Sequence, residues 1–140
     1  MNGVVITRGL RNHNPGNLKW FASIPWRGQT GHDADGYATF SADFYGLRAM
    51  AKNIIAAVVN HHCLNLDALI PRYAPSADNN DVQAYIADVE WRSGIERDAD
   101  LAVLDINVLR KLMHAMIYHE NGKDPFSDPD IDAAIYAAYY

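Results

Sequence analysis

The stretch whose reading decides the fold is Ile106 to Asp128, INVLRKLMHAMIYHENGKDPFSD. Read at helical period, Ile106, Leu109, Met113, Met116 and Ile117 share one apolar stripe, and Arg110, Lys111, His114 and Tyr118 take the other side. On the same wheel Glu120 falls in the middle of the stripe, about 20° from Leu109 and Met113 at roughly 100° per residue. Asn121-Gly122 ends the helix, Gly122 being suited to the left-handed position just past it, and Pro125 keeps it from restarting. A carboxylate therefore points where the core residues point, at the negative end of a helix dipole. Apolar surroundings and dipole both disfavour its charged form, which predicts a raised pKa, the property a general acid needs near neutral pH. The bland alternative is a Glu that bends out to solvent or pairs with a buried Arg, and spacing alone does not choose between the two.

Working outward, 140 residues predict one domain, 1–140, long enough to bury a single core. With 49% apolar and 21% charged residues the chain has the balance of a globular protein, and no apolar run approaches a membrane span, so no membrane partner is expected. The opening MNGVVITRGLRNHN has a very short apolar patch and no basic start, so no secretory signal is expected: the chain is made in the cytoplasm and any work outside needs another route. A net charge of −5 argues against nucleic acid as a partner, since phosphates want a basic face. Cys63 stands alone and cannot form an intramolecular disulfide; after a core helix it reads as buried filler.

In chain order, residues 1–16 read as an irregular lead-in with Asn12, Asn14, Pro15 and Gly16 as turn formers. Asn17–Phe21 suits a short strand, Gln29–Gly36 a loop and Tyr37–Phe40 a second strand, so 17–40 reads as a small antiparallel β-hairpin region. Beyond it the chain reads as helical. Ser41 or Asp43 caps a helix to about Asn60; Asn65 caps a shorter one to Tyr73 that Pro71 ends or kinks; 74–80 is a loop. Asp81–Trp91 closes at Gly94, Asp98 caps a short helix over Leu101–Leu104, and Asp105 or Ile106 begins the Glu120 helix. Asp128-Pro129 reads as N-cap and first residue of a last helix through Ala138. The expected class is α+β and mostly α-helical, with the Glu helix near the C-terminus.

Six histidines invite a metal, but His61-His62 diverge by about 100° on a helix, and His114 and His119 are five apart, not the four of a helical zinc pair. No metal and no cofactor are expected. Trp20, Trp26, Tyr37, Phe40, Tyr73 and Phe126 are scattered over segments; Phe40 reads as packing, whereas Trp20 and Trp26 sit among turn residues where sugars can stack. Beside them Asn14, Asn17, Gln29 and Thr30 offer carboxamides and a hydroxyl to sugar hydroxyls or acetamido groups. Asp33 and Asp35 read first as a solvated turn, and second as a carboxylate opposite Glu120 that an inverting glycosidase would use to activate water.

Several ordered motifs resemble the lysozyme-like superfamily. His119-Glu120-Asn121-Gly122-Lys123-Asp124-Pro125-Phe126 resembles the catalytic segment of soluble lytic transglycosylases, where a helix ends in Glu-Ser-Gly closely followed by Pro. Asn14-Pro15-Gly16-Asn17-Leu18-Lys19-Trp20 resembles the Asn-Leu-Phe-Gly-Ile-Lys stretch of flagellar and autolysin-type glucosaminidases. Trp26-Arg27-Gly28, the loop to Gly36, Tyr37–Phe40 and Gly46-Leu47 resemble that family's hairpin and next helix, and Ile70-Pro71-Arg72-Tyr73-Ala74-Pro75 its Tyr-Ala-Thr segment. In those families the Glu helix comes first; here it follows everything it normally precedes, which reads as a circular permutation, cheap where termini lie close together.

The resemblance spans roughly residues 8–128 in short islands and is shared with small phage or prophage virion proteins. It implies that peptidoglycan glycan strands are cut, with Glu120 as general acid, Tyr73 positioning or stabilising the reacting sugar, and Asn17 and Gln29 touching it. Asn14, Thr30 and Trp26 complete the expected substrate contacts, and Asp33 would be the second carboxylate of a hydrolase. Asn121 stands where the transglycosylases carry Ser, so both chemistries stay open. Other virion proteins are further expected partners, and the bacterial cell wall the expected place of action, reached through a phage particle or lysis. The competing readings are a non-catalytic virion structural or wall-binding protein, and a hydrolase of chitin or chitosan.

Overall fold

A computed structural model describes residues 6–140; Met1–Val5 of the lead-in lie outside the described residues. The fold is α+β and mostly helical. Its elements are α1 (Arg8–Arg11), β1 (Gln29–His32), β2 (Ala38–Phe40), α2 (Asp43–Val59), α3 (Leu66–Tyr73), a 3-10 turn (Ser76–Asp78), α4 (Val82–Ser93), α5 (Ile106–Asn121) and α6 (Asp128–Tyr139).

The long helices form where apolar residues repeat at 3, 4 and 7. Helix α5 is capped by Asp105, whose side chain accepts from the Val108 amide, and it ends at Gly122 in the left-handed region (φ 70°). Its stripe is buried as expected, with Leu109, Met113, Met116 and Ile117 fully enclosed, except that Ile106 is exposed at the helix start. Helix α2 lies against α6, α5 packs between α4 and α6, and α3 contacts both α2 and α4, enclosing one continuous core. A second, smaller cluster of Leu18, Ala38, Phe40 and Ala49 sits under the hairpin, and Tyr73 packs against both clusters. Cys63 is buried, as filler would be.

Several expectations fail locally, each for a nameable reason. The lead-in carries a helix, α1, closed by amide bonds from Arg11 to Thr7 and Asn12 to Arg8. Asn17–Phe21 is not a strand: Asn17 adopts a left-handed φ of 51°, a turn follows at Phe21–Ile24, and a single bridge from Lys19 to Tyr37 remains. Gln29–His32, expected as loop, is a strand paired antiparallel to β2 with a bulge between Gln29 and Gly31. Neither Ser41 nor Asp43 caps α2; Ala42 occupies that position and the Asp43 carboxylate meets His13 Nδ1 at 2.8 Å. Pro71 lies inside α3, which runs on to Tyr73, because the carbonyl it leaves unpaired belongs to exposed Asp67 and can be met by solvent. Leu101–Leu104 is not helical: the Leu101 amide is committed to the Leu64 carbonyl at 2.8 Å, which pins buried Leu101 to the chain before α3.

The cap of α6 is Ser127, not Asp128. Ser127 Oγ accepts from the Asp130 amide while Asp130 Oδ2 accepts from the Ser127 amide, a reciprocal capping box with Pro129 in the first turn. Ser127→Ala is expected to cost about 1 kcal/mol in a denaturant melt, and Asp128→Ala distinctly less.

Candidate active site

Glu120 closes the last full turn of α5 and reaches across to two other parts of the chain. Its Oε1 accepts from Asn17 Nδ2 at 2.9 Å and its Oε2 from the Tyr85 hydroxyl at 2.8 Å. Burial pushes its carboxyl above the ordinary range; the bonds from Asn17 and Tyr85 and the positive fields of His119 and Arg8 pull it back only in part. The net direction is upward. Tyr73 and Tyr85 are held well above their usual pKa by burial and then by Glu120, so both stay neutral donors.

Each neighbour is set by its own element. Asn17 ends a tight loop from His13, with both residues at positive φ (52° and 51°), and that loop wedges between α5 and α2. Asn121 Nδ2 donates to the Pro15 carbonyl at 2.8 Å and Thr7 Oγ1 donates to Asn121 Oδ1 at 2.7 Å. Asn121 thus ties the loop and the residue before α1 to the end of α5. Gly9 leaves room for that seam, since a Cβ there would lie 2.6 Å from Asn121 Oδ1 and 3.0 Å from Asn17 Oδ1. Tyr85 lies on α4 under the His119 ring (centroids 3.9 Å apart), and His119 Nδ1 is 2.8 Å from Asp88 Oδ2.

Glu120 opens into a groove of two chambers, of about 340 and about 370 Å³. The first is bounded by Arg8, Tyr37, Asn80 and Glu120, the second by Phe21, Ile24, Trp26 and Arg72; Asn17, Lys19, Tyr73 and Asp78 line both. One wall is the hairpin side and the other the end of α3 with the turn after it. Lys19 Nζ and Asp78 Oδ1, 3.1 Å apart, join the walls.

Of the residues chosen from sequence, Glu120, Asn17, Tyr73 and Trp26 line this groove. Tyr73 is held by donating its hydroxyl to the Gly16 carbonyl at 2.7 Å. Asn14 does not reach it. That side chain is wholly buried, bonded to the amide and carbonyl of Leu18 and the carbonyl of Ala38, and staples the 18–20 segment to β2. Asp33 lies outside the lining. Its Oδ1 accepts from the amides of Asp35 and Tyr37 and its Oδ2 from Asn12 Nδ2, the turn role that its sequence context suggests first. Burial would raise its pKa, but those three bonds and the field of Arg8 hold it below the ordinary range. Thr30 pairs with Thr39 Oγ1 at 2.8 Å on the exposed hairpin face, and Gln29 is turned into the hairpin with a buried Oε1 unpartnered among the described residues; neither lines the groove.

Sequence reasoning misses Tyr85, Arg8, Lys19 and Asp78. Tyr85 belongs by its spacing to the apolar face of α4, and it is buried there; the available clue is that a buried tyrosine hydroxyl needs a partner. Tyr85→Phe is expected to raise the Glu120 pKa further, because the lost bond favoured the ionised form. A ¹³C NMR titration of the Glu120 carboxyl reads that shift directly.

No family model matches the chain. Protein P5 of Pseudoalteromonas phage PM2 is similar to it, 30% identical over 136 residues that span 95% of this chain and 82% of that protein.

Proposed function

The chain belongs to the family of Protein P5 of Pseudoalteromonas phage PM2, and from that premise we propose that it is a lysozyme-like, circularly permuted enzyme of phage origin that cleaves the glycan strands of peptidoglycan. The observation that carries this reading is Glu120: a carboxyl with a raised pKa at the end of a core helix, bonded to Asn17 and lining one of two adjoining chambers of about 340 and about 370 Å³ between the hairpin side and the end of α3.

Glu120 protonates the glycosidic oxygen as the bond to the anomeric carbon breaks, and positive charge grows on the sugar ring. Two outcomes then differ in what attacks. A hydrolase needs a second carboxylate to activate water; a lytic transglycosylase uses the sugar's own 6-hydroxyl, whose proton returns to Glu120 as the 1,6-anhydro ring closes. The transglycosylase route is favoured here. Asp33 is engaged by the hairpin, and Asp78, the other carboxylate lining the groove, is paired with Lys19. Asn17 and Tyr85 hold the Glu120 carboxylate after it has given up its proton, and Tyr73 packs one wall.

The enzyme would reach the wall as part of a phage particle, with other virion proteins as partners; among the described residues no helix is long and apolar enough to cross a membrane. The test is mass spectrometry of purified peptidoglycan after incubation with the protein. Anhydro-muropeptides are expected. Hydrated reducing ends would replace the transglycosylase with a hydrolase, and no products from folded protein would favour a wall-binding or structural virion component.

A further inference from the structure

One basic side chain beside Glu120 works against the proposed acid. Arg8 lines the same chamber, and its positive field lowers the Glu120 pKa. Its guanidinium carbon lies 3.5 Å from the Tyr37 ring centroid, and its Nε is buried without a hydrogen-bond partner among the described residues. Lys19 lies 5.1 Å from the same ring but is neutralised by Asp78, whereas no carboxylate pairs with Arg8 among the described residues. When Glu120 holds its proton, Arg8 is thus a cation in the chamber lining with no carboxylate paired to it among the described residues; Asp33 feels its field from outside the lining but has its oxygens bonded by Asn12, Asp35 and Tyr37.

We infer that Arg8, stacked on Tyr37, is a recognition subsite for a carboxylate that the substrate carries beside the bond Glu120 cuts. A guanidinium pinned to an aromatic face keeps its planar fork presented at little entropic cost, and carboxylate is the group that fork fits best. The inference rests on the glycan reading above and narrows it. The substrate is an acidic amino-sugar polymer, bearing its carboxylate on a lactyl ether or on a stem peptide, and not neutral chitin or cationic chitosan. A bound carboxylate also cancels the charge that Arg8 projects onto Glu120. With that field cancelled, one of the influences that lower the Glu120 pKa is removed, while the bonds from Asn17 and Tyr85 remain and Lys19 stays paired with Asp78.

The test uses calorimetric binding to the full chain carrying Glu120→Gln, which cannot consume the ligand. The probes are an N-acetylglucosamine–N-acetylmuramic acid tetrasaccharide with free lactyl carboxylates, the same glycan with those groups converted to methyl amides, and a third bearing a stem dipeptide. At least ten-fold tighter binding of a carboxylate probe over the amide is expected, with the tighter of the two naming lactyl or stem as the source. Adding Arg8→Gln is expected to bring the three within about two-fold of one another, while Arg8→Lys keeps part of the gap. Equal binding of charged and neutral probes, or a gap that survives Arg8→Gln, overturns the subsite and leaves the glycan reading standing. Binding of none of the three overturns both. The probe comparison needs no Arg8 variant, so it decides even if Arg8→Gln fails to fold.

Discussion

Under the proposed function, Glu120→Gln is expected to lower peptidoglycan cleavage by about a thousand-fold, the scale on which a positioned general acid contributes. Glutamine keeps the shape of the side chain, its oxygen able to accept from Asn17 and its amide to donate to the Tyr85 hydroxyl oxygen in place of accepting from it, but it has no acidic proton to give. The same substitution is expected to leave the fold as stable or more so at neutral pH. The reason is the direction of the Glu120 shift: a carboxyl whose folded pKa lies above its unfolded value binds its proton more tightly in the native state. Folding stability then falls as pH rises from the unfolded pKa through the folded one, and stays reduced above it. Gln carries no such penalty. Thermal melts of both proteins from pH 4 to pH 8 check this; the wild-type Tm should drop relative to the variant across the carboxylate range. A variant that is inactive yet no less stable separates lost chemistry from lost structure, whereas an active variant removes Glu120 from the mechanism.

Gly46→Ala is expected to be among the most damaging small substitutions in the chain, costing about 3 kcal/mol or more, at or beyond the upper end of ordinary overpacking. Gly46 is buried in the first turns of α2, where a Cβ would lie 1.9 Å from the His13 carbonyl oxygen, 2.9 Å from its carbon and 3.1 Å from Pro15 Cδ. The obstacle is backbone, held on both sides by the His13–Asn17 loop, so no rotamer change relieves it. Moving that loop off α2 also moves Asn17 away from Glu120, and activity should fall more than the folded fraction does. Gly36→Ala is the contrasting control. Gly36 has a positive φ (87°) but meets nothing within 4 Å, and its substitution should cost about 1 kcal/mol through backbone strain alone. Denaturant midpoints with unchanged m-values measure both, and equal costs would mean that the close approach at Gly46 is relieved elsewhere.

The pairing of Glu120 with Gly46, one chemical and one purely steric, reflects how the site is built. Glu120 has its position from the helix that carries it, but its partners come from distant segments: Asn17 lies 103 residues away and Tyr85 35. Asn121 secures the junction by bonding the Pro15 carbonyl and accepting from Thr7.

What the sequence determined by itself follows from local physics. Periodicity placed α5 and α4, and a side chain able to bond its own next turn marked Asn65 as a cap, while the same role of Asp81 and Asp105 is seen in the structure. Gly94 and Gly122 marked helix ends because each takes the left-handed conformation that other residues resist. The same wheel that buries Leu109 and Met113 turns Glu120 inward, so its direction is legible from residue spacing, whereas its partners are not. What only the tertiary structure decided depends on contacts between segments far apart in the chain. Asn14 and Asn17 are the same residue type three positions apart, and nothing local says that one is spent inside the hairpin while the other reaches Glu120. Asp33 is lost to the site because the Tyr37 amide and Asn12 claim its oxygens. Arg8, in a stretch whose composition suggests irregular chain, is part of the groove because Gly9 lets α1 close against α5. Polar side chains carry no period of their own; their partners are settled by packing, and packing is where the candidate site was assembled.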